Sequence, residues 1–116
     1  MSLVIGIGTR SGADFNALEE VLHGMPGIAA LATIEIRAAQ LEPLARRLGL
    51  PLLAIPAGDL AGVATPSASA RIMALHRCGS VAEACALVAA GPGSVIVRTR
   101  LALGGTTWAA ARKANT

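Results

Sequence analysis

The chain reads as an α/β domain of three layers, with helices on both faces of a mixed, mostly parallel sheet of about five strands that ends in an antiparallel hairpin. Three observations predict this class. Short apolar runs such as Leu3-Val4-Ile5 and Leu52-Leu53-Ala54-Ile55 alternate with segments of helical apolar spacing, as in a sheet covered on both sides. The 116 residues suffice for one domain with its own core, without disulfide or metal staples. The last two strand-like runs are separated by Thr99 to Gly105, enough for a hairpin but too little for a βαβ crossover.

The first strand is Leu3-Val4-Ile5. The glycine-rich stretch Gly6-Ile7-Gly8-Thr9-Arg10-Ser11-Gly12 reads as a turn, after which Phe15, Leu18, Val21 and Leu22 recur at helical spacing. His23-Gly24-Met25-Pro26-Gly27 ends that helix, since glycine suits a helix C-terminus and proline cannot continue it. Ile28 to Ile36 reads as a second strand, and Leu41, Leu44, Ala45 and Leu48 mark a second helix that stops at Gly49. The run from Pro51 to Pro56 is a third strand, too short for a helix. Asp59-Leu60-Ala61 allows a helical turn, and Thr65-Pro66-Ser67 reads as a helix start leading into Ala68 to His76. Ser80 is the expected N-cap of a further helix, with Glu83 completing a capping box and Val81, Ala84, Cys85 and Val88 on one face. Gly91-Pro92-Gly93 closes it, and Ser94 to Arg98 and Thr106 to Ala110 are the last strands. A single domain is expected over residues 1–116, with a flexible tail after Arg112.

Composition narrows the function. Hydrophobic residues make up 53%, yet no unbroken apolar run approaches the ~18 residues of a membrane span, so no transmembrane helix is predicted. The N-terminus leads straight into a strand, without a signal segment, and a cytoplasmic location is expected. Cys78 and Cys85 lack CxxC spacing, and His76 is at most part of a ligand set; both thiols should be buried and inert, with no disulfide, metal or cofactor. Ten basic against seven acidic side chains leave a charge of +3, and past Glu83 there is no acid while Arg98, Arg100, Arg112 and Lys113 follow. This asymmetry favours an anionic partner. Nucleic acid is not expected, because one Trp, one Phe and no Tyr leave little to stack on bases. A small polyanion fits better.

The glycine turn misses the dinucleotide fingerprint by one position and lacks the Gly-Lys-Ser/Thr of a P-loop. What remains is a strand end feeding a helix N-terminus, where free N–H groups and the dipole favour an anion and Arg10 adds a forked donor. A plain turn capped by Ser11, with Arg10 in solvent, is the alternative. Thr65-Pro66-Ser67 and Gly79-Ser80 are two more helix starts. If all three lie beyond the carboxyl ends of the strands, where α/β sheets gather ligands, they face one crevice. Arg98 and Arg100 share a face of the hairpin by the two-residue strand period, either guarding the edge or meeting a ligand. Arg46 and Arg47 are expected in solvent and Trp108 in the core. No Gly-x-Ser-x-Gly elbow is present, and neither histidine has an identifiable carboxylate partner.

Gly6-Ile7-Gly8-Thr9-Arg10, Ala32-Thr33-Ile34 followed by Arg37, Thr65-Pro66-Ser67, Gly79-Ser80-Val81-Ala82-Glu83-Ala84 and Gly104-Gly105-Thr106-Thr107 occur in this order between Leu3 and Arg112. The set resembles the CobE family, which is similar to the C-terminal domain of CbiG in cobalamin biosynthesis. That family usually has Cys where Thr9 stands, Lys where Arg37 stands and a Lys-rich segment where Arg98 to Leu103 stand, so the charge is kept here and the thiol is not. The resemblance implies a precorrin or corrinoid intermediate as ligand, with many carboxylates on an apolar macrocycle. Joined to the reading above, it implies a ligand-binding set of Gly8, Thr9, Arg10, Ser11, Arg37, Thr65, Ser67, Gly79, Ser80, Arg98, Arg100, Gly105 and Thr106. A stand-alone accessory or carrier protein for a metal-free intermediate is expected, with other cobalamin-biosynthesis enzymes as partners. The alternatives are a lactone-opening precorrin hydrolase using Thr9, Ser67 or a histidine, and a nucleotide-binding regulatory domain built on the glycine turn.

Overall fold

The computed structural model of the chain describes residues 2–113, so the expected tail lies, beyond Lys113, outside the described residues. Strands β1 (Leu3–Thr9), β2 (Ile28–Ile34), β3 (Leu52–Ile55), β4 (Val95–Leu103) and β5 (Thr106–Arg112) form one sheet in the order β3-β2-β1-β5-β4. The first three strands are mutually parallel, and β5 runs antiparallel to both its neighbours. The hairpin therefore adds to the free edge of β1 with its last strand innermost.

Helices α1 (Asn16–His23) and α2 (Ala38–Leu48) cover one face of the sheet; α3 (Ala57–Leu60), α4 (Ala70–His76) and α5 (Val81–Ala90) belong to the other. The strand period sorts the core. Ile5 and Ile7 of β1 pack with Leu18, Leu22, Leu41, Leu44 and Trp108 on the first face, while Val4 packs with Ala84, Cys85, Leu60 and Ile55 on the second. Thr33 is buried within β2 because its Oγ1 donates to the Ile7 carbonyl at 2.8 Å. Trp108 is buried in the core as expected, and both cysteines are free and buried. Burial pushes the Cys78 thiol up, and burial together with neighbouring Cys78 pushes Cys85 up to about 12. Among the described residues no single helix is long and apolar enough to cross a membrane.

Five local expectations are corrected. The glycine-rich stretch is not a turn: β1 continues through Gly6-Ile7-Gly8 to Thr9. Gly6 is there because α5 lies directly on it, and a Cβ would collide with the Ala82 carbonyl oxygen. Helix α1 begins only at Asn16, with Asp14 Oδ1 accepting the Asn16 N–H at 2.8 Å, so Ser11 is not its cap. Thr65-Pro66-Ser67 starts no helix either. Thr65 Oγ1 donates to the Ser67 carbonyl at 2.7 Å, folding the segment into a local turn, and α4 starts at Ala70 with Ser69 as its N-cap. In β2, pairing with β3 ends at Ile34, opposite Ile55, and Glu35–Arg37 form a 3-10 turn instead of more strand. Arg47 is not merely solvated, since it pairs with Glu19 of α1 at 2.8 Å.

In the hairpin, β4 extends to Leu103 and only Gly104-Gly105 turn, with φ of 53° and 82°. Positive φ at both central residues is what a two-residue hairpin of right-handed twist requires. The register of β4 slips between Ile96 and Arg98 and again between Arg98 and Leu101. These bulges interrupt the two-residue period, so Arg98 and Arg100 do not form the single-face pair that unbroken alternation predicts.

Candidate functional site

The carboxyl end of β1 meets the hairpin turn on one side and the start of α5 on the other. Thr9 pairs with Thr106 across β1 and β5, and their hydroxyl oxygens lie 3.1 Å apart. The next residue, Arg10, lays its guanidinium against the turn, so that a Cβ on Gly105 would come within 2.6 Å of Nε. The Arg10 carbonyl accepts from Gln40 Nε2 at 2.8 Å, which ties the first turns of α2, and the 3-10 turn carrying half-buried Arg37, to the same end of the sheet.

Gly8 faces α5. A Cβ on it would stand 2.8 Å from Thr107 Oγ1 and 3.5 Å from the Ala82 nitrogen. The helix N-terminus at the end of β1 is therefore that of α5, not that of α1. Ser80 caps it, with Oγ accepting the Glu83 N–H at 3.2 Å. Preceding it, Gly79 packs so closely on the Thr65–Ser67 loop that a Cβ would lie 2.6 Å from Thr65 Oγ1.

Glu83 completes only half of a capping box. Its carboxylate points away from Ser80 and is fully buried, with Oε1 accepting the Ser67 N–H at 2.8 Å and Oε2 accepting Ser67 Oγ–H at 2.7 Å and the Arg100 N–H at 2.8 Å. The bulge in β4 frees the Arg100 N–H for this contact. One carboxylate thus fastens the Ser67 loop and the hairpin to α5. Glu83 is the residue that reading the sequence as a capping box overlooks. Its signal was a lone acid within the small apolar run Val81-Ala82-Glu83-Ala84-Cys85-Ala86.

Gly8, Thr9, Arg10, Gly105 and Thr106 come together in one group. Thr65, Ser67, Gly79, Ser80 and the Arg100 backbone form a second, joined to the first through the start of α5. Arg37 reaches the same end of the sheet through its 3-10 turn. Ser11 sits in the exposed turn after Arg10 and makes no hydrogen bond among the described residues. Arg98 stands apart, its guanidinium 5.6 Å from the centre of the Trp108 ring. His23 lies at the opposite end of the sheet, where the Gly27 carbonyl accepts the Leu3 N–H.

Chemically this end of the sheet offers the half-buried Thr9 hydroxyl and the exposed Arg10 guanidinium, while the first turn of α5 is buried and its Glu83 N–H is taken by Ser80. The hydroxyl and the guanidinium suit carboxylates. Gly6 and Gly8, which a dinucleotide fingerprint would reserve for a pyrophosphate, are instead filled by α5.

Residues 3–111 match the family described as Cobalamin synthesis G C-terminus, and the chain belongs to that family. Two solved structures agree with this. CobE, a protein from the cobalamin (vitamin B12) biosynthetic pathway, is similar with a TM-score of 0.79 and 29% identity, over 95% of this chain and 89% of that one. The cobalamin biosynthesis protein chiG from Agrobacterium tumefaciens strain C58 is similar with a TM-score of 0.72 and 33% identity, over 97% of this chain and 99% of that one. No curated protein sequence gives a significant match. The chain is a cobalamin-biosynthesis protein of the CobE and CbiG C-terminal type.

Proposed function

We propose that the crevice at the end of β1 binds a carboxylate-rich precorrin or corrinoid intermediate, and that the protein acts as an accessory or carrier that protects the intermediate and hands it to another enzyme of the pathway. The observation that carries this reading is exposed Arg10, whose guanidinium lies against the Gly105 turn at the end of the strand pair that joins the Thr9 and Thr106 hydroxyls. A forked guanidinium donor matches a carboxylate through two parallel hydrogen bonds. Arg37 supplies further positive charge at the same sheet end. A cytoplasmic setting, with a metal-free intermediate as the ligand, goes with this reading.

The test is a visible-spectrum titration with hydrogenobyrinic acid, followed by gel filtration. Co-elution of unchanged pigment supports the carrier reading, and Arg10→Ala should weaken binding by roughly tenfold, the scale of one charge-assisted contact. Unchanged binding by that variant would remove Arg10 from the site.

A second reading, a precorrin hydrolase, draws on the 2.7 Å contact between Ser67 Oγ and the Glu83 carboxylate. A hydroxyl beside a carboxylate is the minimum for general-base activation. The same carboxylate also accepts two backbone N–H groups, the arrangement of a structural tie, and this favours the carrier. Product formed from a precorrin by the purified chain, and lost in Ser67→Ala, would reverse that preference.

A further inference from the structure

A second concavity lies on the other side of the hairpin. Helix α1 is only eight residues long, and beyond it the sheet leaves a cavity of about 420 Å³ lined by Val21, Met25, Leu101, Leu103, Trp108 and Arg98. Ligand sites commonly occupy about 300–1,000 Å³ with apolar walls and a few polar groups. Two features distinguish this cavity.

First, Trp108 is 3% exposed and its Nε1–H is buried with no hydrogen-bond partner among the described residues. A buried donor left unpaired is rare in folded proteins and marks an imperfectly packed wall. Second, Arg98 is exposed, lies over the Trp108 ring and has no ion-pair partner among the described residues. Around them, Val21 and Leu101 remain 39% and 42% exposed, apolar walls open to the outside. An apolar wall and a free cation at its rim together describe the complement of an apolar body carrying a carboxylate.

Resting on the carrier reading above, we propose that this cavity is a second seat for the same ligand, receiving an apolar edge of the tetrapyrrole beside Trp108 with one of its peripheral carboxylates on Arg98. At this volume it takes an edge, not the whole macrocycle. Leu103 adjoins the Gly104-Gly105 turn against which Arg10 lies, so the two seats share the hairpin. A ligand with carboxylates all around its rim is suited to engage both.

The chain has one Trp, so its indole N–H gives a single isolated cross-peak in a nitrogen-15 correlation spectrum. The full chain is titrated with hydrogenobyrinic acid while that peak is followed, and the affinity is compared with that of Leu101→Glu, which puts a carboxylate at the exposed rim of the cavity. The expected result is a shift of the indole peak that saturates with the visible-spectrum change, and at least tenfold weaker binding by Leu101→Glu at an unchanged circular dichroism spectrum and urea midpoint. Pigment binding with a stationary indole peak, or with undiminished affinity in Leu101→Glu, overturns the second seat and leaves the carrier reading standing. No binding of pigment by the unaltered protein overturns both.

Discussion

Glu83 is the side chain on which most of the local geometry depends. Its carboxylate receives three hydrogen bonds in a fully buried setting, from Ser67 N–H, Ser67 Oγ–H and Arg100 N–H. Glu83→Ala would strand two backbone donors away from water, and unfolding by urea should show a loss of about 3 kcal/mol. Glu83→Gln should lose nearly as much, because either orientation of the amide turns its NH2 towards a backbone N–H. The Cys85 thiol makes a different prediction. Its folded pKa of about 12 exceeds the ordinary 9.0, so the folded state holds the proton more tightly. Stability from this group is complete below about pH 9 and is lost as the pH climbs towards 12. Urea midpoints across that alkaline range should fall less steeply in Cys85→Ala than in the parent. In the folded chain at neutral pH neither buried cysteine should react with iodoacetamide, which mass spectrometry reads directly.

Among the elements, α5 shows how far sequence patterns reach. Its boundaries and its Ser80 cap followed from residue types alone, and Ser80→Ala should destabilise the protein by about 1 kcal/mol. The second helix ending in left-handed Gly49, the proline-bounded third strand and the hairpin were equally readable, because each rests on local chemistry. What sequence could not supply was partnership across the chain. Gly6 and Gly8 carry the same local signal whether they bend a backbone or admit a helix, and only α5 packing decides for the second. Gly6→Ala would drive a methyl group into the Ala82 carbonyl and should lower the urea midpoint more than any other single-methyl addition to β1. Thr65-Pro66-Ser67 looked like a cap because its own hydroxyl turns the chain, yet the loop answers to Glu83, sixteen positions away. The bulges of β4 leave no mark in residue type at all. They decide, nonetheless, that Arg98 meets Trp108 while the Arg100 N–H meets Glu83.

For the whole molecule, charge sets the expectation. The net charge is +3, and the chain after Glu83 carries four basic residues and no acid. Retention of a polycarboxylate pigment should therefore weaken as salt rises, since exposed charges are screened beyond a Debye length of about 10 Å at 0.1 M. Binding insensitive to salt would argue for a contact dominated by apolar surface. The sheet order adds a constraint of another kind. Of the five strands, β1 is made first and β5 last, yet they lie side by side, with Leu3 opposite Arg112. During synthesis the parallel unit of β1, β2 and β3 can assemble early, yet one edge of β1 stays open until the final strand leaves the ribosome. Parallel pairs and long-range closures form slowly, and an open strand edge invites another chain. A nascent chain stalled before Thr106 would lack the seam of its sheet rather than its border, and would present β1 to whichever neighbouring chain arrived first.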